Sequence, residues 1–411
     1  MGGTTPQLLV QHLADVIASG DIDVGVIVGA EALATKRRMK KDGRKPEWSH
    51  PATNRNPFPF EDPFHPAEIA HQVFQAWLTF PVWDVARRAH LGVAPDDYRA
   101  GIGALMAPMT EVAAANPYAW FPTARTAEEL STETSTNRMV CEPYTKLLNS
   151  IIAVDMAAAF VLMAAEVAQE LGVPRERWVF PWAAASCNDV YFPVQRPQLG
   201  RSPGIRAAGE AVLGAAGITT ADLDWFDLYS CFPSAVEAAV DALGLDPLDP
   251  RGLTVTGGLP YHGGPGNNYV THSIGAMARR CREHPEGVGL VSGLGWYITK
   301  HSLGLWSATP PPAGFQTPDT SASQATIDAT ALDVAPPGEA EGEATIEGYT
   351  VVHDRERGPV EVPVFARLSD GRRVAARSTD PELARAMSGG QHIGTRIGLR
   401  PGAESMGFEL R

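Results

Sequence analysis

The stretch Val24-Gly25-Val26-Ile27-Val28-Gly29 constrains this chain more than any other. It is an unbroken apolar run of strand length, rich in β-branched residues and bounded by glycine, as suits a strand inside a parallel sheet. Residues 5–19 ahead of it read as a helix. Pro6 sits one step inside a threonine cap, Leu9, Leu13, Val16 and Ile17 share one face, and Gly20 stands just past the end. A helix that feeds directly into an apolar strand is the grammar of an α/β fold.

That grammar continues along the chain. Residues 36–136, rich in Pro, Trp, Phe and His and with helical patterns over 66–80 and 95–116, read as a long insertion packed over a site. The apolar residues from Ile151 to Ala168 predict a buried helix, too short and, with Asp155 and Glu166, too polar to span a bilayer. Val179 to Ala183 reads as a strand and closes a first half over 1–200. A second α/β half over 201–307 carries helical patterns at 203–217 and 233–243 and strands at 224–229 and 288–294.

Residues 308–343 read as a linker because Pro, Thr, Ser and Ala dominate their first part. Past it, strand patterns cover 344–353, 360–368, 372–376 and 392–399, with Asp370-Gly371 at a hairpin turn and a short helix over 381–387. About five short strands predict a small C-terminal β-barrel over 344–411, of the oligonucleotide/oligosaccharide-binding (OB) type, with a flat sandwich as the alternative.

The formal charge of −13 and pI near 5.3 exclude a diffuse basic field, so neither nucleic acid nor a membrane surface is an expected partner. One local exception is the run Lys36-Arg37-Arg38-Met39-Lys40-Lys41, which is either a solvated segment or a patch for the phosphates of a nucleotide-bearing ligand. Cys141, Cys187, Cys231 and Cys281 are widely spaced, show no metal pairing and follow no secretory signal. Reduced thiols in the cytoplasm, with no metal and no permanently bound cofactor, are the expectation.

Three stretches resemble the thiolase superfamily. They are Gly2-Gly3-Thr4-Thr5-Pro6-Gln7 with Gly29-Ala30-Glu31, then Leu228-Tyr229-Ser230-Cys231-Phe232, then Gly257-Gly258-Leu259 with Gly263-Gly264-Pro265-Gly266. With Asn137-Arg138 and Pro143-Tyr144-Thr145-Lys146 they are most similar to the type-1 thiolase-like branch, related to the sterol-carrier-protein thiolases. The resemblance implies a layered α/β fold and coenzyme A (CoA) thioesters as substrate or ligand. It also implies that a strand-helix-strand-helix-strand segment precedes Gly2 in the family. A start assigned inside the gene, or a second polypeptide supplying those strands, are the two explanations for an N-terminal half that looks truncated.

In thiolases a cysteine at a helix N-terminus takes the acyl group, a histidine serves as its base, and a second cysteine works at the α-carbon. In this chain those positions fall on Gly2, on Gly264, and on Ser292 or Gly293. The candidates for a rebuilt catalytic set are therefore Tyr229, Cys231, His262 and His301. Lys36, Arg37, Arg38, Asn267 and Asn268 are the candidates for holding CoA. Two functions follow from this: an enzyme acting on acyl-CoA by acyl transfer or a retro-aldol or retro-Claisen step, or a non-catalytic acyl-CoA-binding or assembly subunit.

Overall fold

The computed structural model describes residues 2–48, 63–402 and 404–411. Of the insertion expected over 36–136, residues 49–62 thus lie outside the described residues. The chain opens with α1 (Thr5–Ala18), β1 (Val24–Ala32) and the short basic α2 (Leu33–Lys41). Next come α3 (Pro66–Ala70), α4 (Ala76–Leu91), α5 (Pro95–Ala115), α6 (Ala127–Ser131), β2 (Met139–Cys141) and β3 (Tyr144–Thr145). The single helix expected over 66–80 is two, because Gln72 takes a left-handed conformation (φ 58°) that no α-helix continues through.

Where a buried helix was expected over 151–168, the chain forms β4 (Asp155–Met163), antiparallel to β1 with Val24 opposite Met163 and Ala32 opposite Asp155. Only the short α7 (Ala165–Glu170) keeps the helical expectation. The run is alanine-rich and apolar on both faces, so it lacks the polar alternation that betrays a half-buried strand. The outward face is nonetheless open: Val26, Val28 and Val161 are 62%, 71% and 52% exposed.

The second half is built on β5 (Phe180–Asn188), α8 (Pro203–Ala216), β6 (Trp225–Asp227), α9 (Pro233–Leu243), α10 (Tyr269–Glu283), β7 (Val288–Gly295) and β8 (Lys300–Ser307). Its sheet runs β5-β8-β7-β6, with β6 and β7 parallel and the other pairs antiparallel. The alternation of β-strands sorts its side chains cleanly. Gly293, Ser302 and Gly304 face α1, whose Gln7 packs on Gly304, while Leu303 faces Gly209 of α8. The layers are therefore the β1–β4 pair, then α1 with α10, then the four-stranded sheet, then α8 with α9. The buried stripe of α1 is Pro6, Gln7, Val10 and Ala14, one step off the expected Leu9–Leu13 face, because the helix is pressed between two sheets, with Gln7 against Gly304 of β8 and Leu13 against Gly25 of β1.

Within the expected linker lies α11 (Ser321–Asp328), whose Gln324 bonds the Asn188 backbone on β5. Then follow β9 (Glu343–Tyr349), β10 (Val352–Asp354), β11 (Gly358–Leu368), β12 (Arg373–Ser378), α12 (Pro381–Met387), β13 (Arg396–Pro401) and β14 (Met406–Leu410). The expected OB-type barrel is not closed by backbone pairing among the described residues, although β12 lies beside β14. The ladder runs β14-β13-β9-β11-β10-β2-β3, with β12 on β11, and no backbone pairing joins β12 to β14 among the described residues. The path instead continues into the first half, where Val352 pairs with Cys141, and a shared apolar cluster joins Val82 and Cys141 to Phe365 and Ala375. No helix among the described residues is long and apolar enough to cross a membrane.

Candidate functional site

The resemblance places a nucleophile at Gly2, and the structure shows why no side chain stands there. Gly2 has φ 145°, and a Cβ added to it would lie 2.9 Å from Gly295 Cα; one added to Gly3 would lie 2.2 Å from the Leu294 carbonyl oxygen. Backbone closes the space a cysteine would need. A Cβ on Gly3 would also meet the Tyr229 hydroxyl at 2.7 Å, and one on Gly293 would meet the Ser302 hydroxyl at 2.6 Å and the Gly3 carbonyl at 3.1 Å. Gly2, Gly3, Tyr229, Gly293 and Ser302 thus converge on the N-terminus of α1, where the helix dipole favours partial negative charge, although the Thr5 N–H is taken by the Gly2 carbonyl and Pro6 has none.

What this spot offers is donors. No hydrogen bond to the Tyr229 hydroxyl is found among the described residues, and Thr4 is buried with its hydroxyl unpartnered. Burial, and then the neighbouring Cys231, push the Tyr229 phenol well above its ordinary value, so it stays a neutral O–H. Burial likewise pushes the Cys231 thiol far up, and no cation offsets it, so Cys231 is no thiolate nucleophile near neutral pH.

His262 lies further along the same surface. The Asn116 side-chain oxygen accepts from the Tyr118 N–H at 3.0 Å, which fixes the amide so that its nitrogen donates to the Thr256 carbonyl at 2.8 Å and to His262 Nδ1 at 3.2 Å. The imidazole proton therefore sits on Nε2, which is buried and unpartnered. Burial, with His272 and Arg279 nearby, lowers His262 to about 3, so at neutral pH it can donate but is a poor base. Tyr269 stands between the two candidates, its ring edge-on to Tyr229 at 5.5 Å and to His262 at 6.1 Å.

His301 belongs elsewhere. It alternates with Ser302 on β8, so its ring points to the α8 face, opposite to α1. There Nε2 lies 2.9 Å from Asp189 Oδ2 and 3.2 Å from the Ser202 hydroxyl, which itself donates to Asp189 at 2.5 Å and caps α8. This is a buried structural cluster.

Of the residues expected to hold CoA, Lys36, Arg37 and Arg38 are exposed on α2 and Asn267 is exposed, whereas Asn268 is buried and donates to the Gly29 carbonyl at 2.8 Å. α2 is tied to the loop of His262 in two steps. Asp155 accepts from the Thr35 N–H and hydroxyl at 2.9 and 2.6 Å; Trp120 donates through its indole to the Asp155 carbonyl at 3.1 Å and through its backbone to the His262 carbonyl at 2.9 Å. A surface cavity of about 590 Å³, lined by Trp225, Arg280 and His284, opens at the amino ends of β6 and β7, the far end from Tyr229. Ligands of open α/β sheets bind at the carboxyl ends, so the convergence at α1 is the better candidate for the site.

Sequence reasoning missed Thr4, Asn116, Tyr269, Ser302 and the turn joining β7 to β8. The alternation of Ser302 and Gly304 within Lys300–Ser307 was the available signal for a strand with a small-residue face under a helix. In that turn Trp296 and Ile298 adopt φ 57° and 54°. A β-branched or bulky residue held there costs on the order of 1–3 kcal/mol, and such outliers gather at functional sites.

Residues 324–403 match the family described as the thiolase-like protein type 1 additional C-terminal domain. The structure is similar to that of a monomeric SCP2-thiolase like protein type 1 from Mycobacterium smegmatis, at 35% identity and TM-score 0.86, covering 100% of this chain and 83% of that one. It is also similar to the Ltp2-ChsH2(DUF35) aldolase, at 18% identity and TM-score 0.52 over 75% of this chain and 78% of that one, a likeness of fold. The dimeric peroxisomal thiolase of Saccharomyces cerevisiae aligns at 18% identity and TM-score 0.49 over 74% of each chain. A search among curated proteins finds no match. With more than a third of its residues identical across its whole length, and with the additional C-terminal domain, this chain belongs to the SCP2-thiolase-like proteins of type 1.

Proposed function

We propose that the protein binds an acyl-CoA thioester at the N-terminus of α1 and polarises its carbonyl oxygen without forming an acyl-enzyme. The observation that carries this reading is the unpartnered Tyr229 hydroxyl held against Gly3, beside glycines that leave backbone but no nucleophile at the spot. Hydrogen-bond donors aimed at a carbonyl stabilise the charge that develops on it in acyl and aldol chemistry. The exposed cations of α2, joined through Asp155 and Trp120 to the His262 loop, are the charges this reading assigns to the phosphates of CoA.

Calorimetry with CoA and acetyl-CoA tests the reading. Tyr229→Phe should weaken acetyl-CoA by about tenfold, as loss of one hydrogen bond to a polarised oxygen predicts, and leave CoA unchanged. Mass spectrometry after incubation with acetyl-CoA should show no acetylated cysteine. Absence of heat with either ligand, or an acetyl group on Cys231, overturns it.

The lack of a strong base among the four candidates favours a second reading, that of a binding or assembly subunit. Cys231 and Tyr229 are held protonated, His262 is a weak base, and His301 lies on the other face. The exposed apolar face of β1 and β4 then serves as the surface for another polypeptide, since patches of this kind mark interaction sites. Light scattering of the purified chain is expected to show association, weakened by Val26→Lys with Val28→Lys. A monomer at all concentrations argues against the subunit role.

A further inference from the structure

We infer that Arg196 is a positioning residue for the acyl site, acting by clamping the strained turn between β7 and β8; the inference rests on the acyl-CoA reading above. The turn, Gly295 to Thr299, forms the wall opposite the first residues of α1. Gly295 Cα lies 2.9 Å, and the Trp296 nitrogen 3.5 Å, from the point a Cβ on Gly2 would occupy. Displacing this backbone by even one ångström would change its packing on Gly2 and Gly3, against which the Tyr229 hydroxyl is held.

The turn does not hold itself. Its internal bond runs from the Thr299 N–H to the Gly295 carbonyl at 3.3 Å, and Trp296 and Ile298 both sit in the left-handed region where glycine is at ease and bulky residues are not. Such a conformation persists only where its surroundings dictate it.

Arg196, 2% exposed, supplies most of that constraint. Its Nη1 donates to the Tyr297 carbonyl at 3.0 Å, its Nη2 to the Thr299 hydroxyl at 2.6 Å and its Nε to the Val190 carbonyl at 2.8 Å, while the guanidinium lies over the Trp83 ring at 4.6 Å. One rigid fork thus ties the turn to the 190–196 segment and to α4. The Asp189 N–H donates to the Thr299 carbonyl at 2.8 Å on the same side, and the Tyr297 hydroxyl donates to the Phe74 carbonyl. None of these anchors comes from α1, and the Gly295–Trp296 backbone is the part of the turn that approaches Gly2.

The experiment compares Thr299→Val, which deletes one prong, with Thr299→Ser, which keeps it, and with Arg196→Lys, which keeps charge without the fork. Calorimetry uses acetyl-CoA and, separately, adenosine 3′,5′-bisphosphate, the nucleotide end of CoA that does not reach the turn. Amide exchange is followed over residues 295–299. Thr299→Val and Arg196→Lys should weaken acetyl-CoA by about tenfold, leave the bisphosphate unchanged and speed exchange within the turn, with Thr299→Ser close to wild type. Unchanged acetyl-CoA affinity in a variant whose turn amides exchange faster overturns the clamp, and so does parallel weakening of both ligands with exchange raised throughout the chain. Wild-type protein that binds neither ligand removes the acyl-CoA reading itself, and the clamp's role at the site falls with it.

Discussion

Asp189→Ala is expected to lower stability by about 3–5 kcal/mol, the range for removing one partner of a buried, hydrogen-bonded pair. Asp189 is 2% exposed and serves three donors: His301 Nε2 at 2.9 Å, the Ser202 hydroxyl at 2.5 Å, and the Gly204 N–H at 2.8 Å at the start of α8. Burial works against its charge, but the bonds from His301 and Ser202 and the charge of Arg196 hold the carboxyl below its ordinary value. A depressed carboxyl stabilises the fold above its unfolded value near 3.8, and that contribution is lost as pH falls through its folded value. Alanine leaves an imidazole, a hydroxyl and a helix-start N–H buried together without their acceptor. Asp189→Asn, which keeps one oxygen for Gly204, should cost less. Chemical denaturation at neutral pH measures both, and a loss under about 1 kcal/mol for the alanine variant would refute a structural role for the His301 cluster.

His301 shows where legibility ended. Tyr229, Cys231 and His262 lie in or beside local motifs that the sequence displays whole, and the structure sets Tyr229 against Gly3 with Cys231 two residues on. The sequence points to His301 only through its place after the strand that holds a cysteine in thiolases. Its side depends on the phase of β8, and one residue of phase moves a side chain from the α1 face to the α8 face. The same limit governs β4. Its outward alanines and Val161 are as apolar as its inward residues, so strand and helix periods were indistinguishable along the chain.

Helices α5, α8, α9 and α12 were legible for the opposite reason. Each starts with proline in its first turn, and α8 and α9 stop at Gly217 and Gly244, both with φ 68°. Those are local signals, complete within a turn of backbone. The C-terminal strands were also local, but their arrangement was not. That Val352 would pair with Cys141, more than two hundred residues earlier, leaves no trace in either segment.

Glu237→Gln is expected to flatten the fall of stability as pH rises above about 4.5. Asp84 on α4 and Glu237 on α9 are buried side by side, and the Tyr98 hydroxyl of α5 lies 3.0 Å from the first and 2.7 Å from the second. Tyr144 on β3 donates to Asp84 as well, and Arg87 reaches Glu237 at 3.0 Å but spends its other nitrogens on Asp241 at 2.7 and 2.9 Å. One cation cannot neutralise two buried carboxylates and an exposed third, so the pair keeps a proton. Burial, then the charge of Asp84, push Glu237 well above its ordinary value, which makes it the holder.

The sign follows from linkage. Below about 4.5 both folded and unfolded chains keep this proton and the contribution is full; above that the unfolded chain releases it first. Stability therefore falls as pH rises toward the folded value, by up to about 1.4 kcal/mol per pH unit. Burial lowers His262 to about 3 and His272 to about 4, and their opposite contribution ends once pH passes their ordinary value of 6.5. Glu68, raised to about 7 by burial, acts in the same direction as Glu237 but flattens out above that pH. The difference between wild type and Glu237→Gln at each pH isolates the pair, since glutamine keeps an oxygen for Arg87 and gives Asp84 an N–H in place of the carboxyl proton. The variant should unfold closest to wild type below about pH 4.5 and gain on it progressively as pH rises toward the folded value. Parallel curves across that range would mean that both carboxyls are ionised in the native protein.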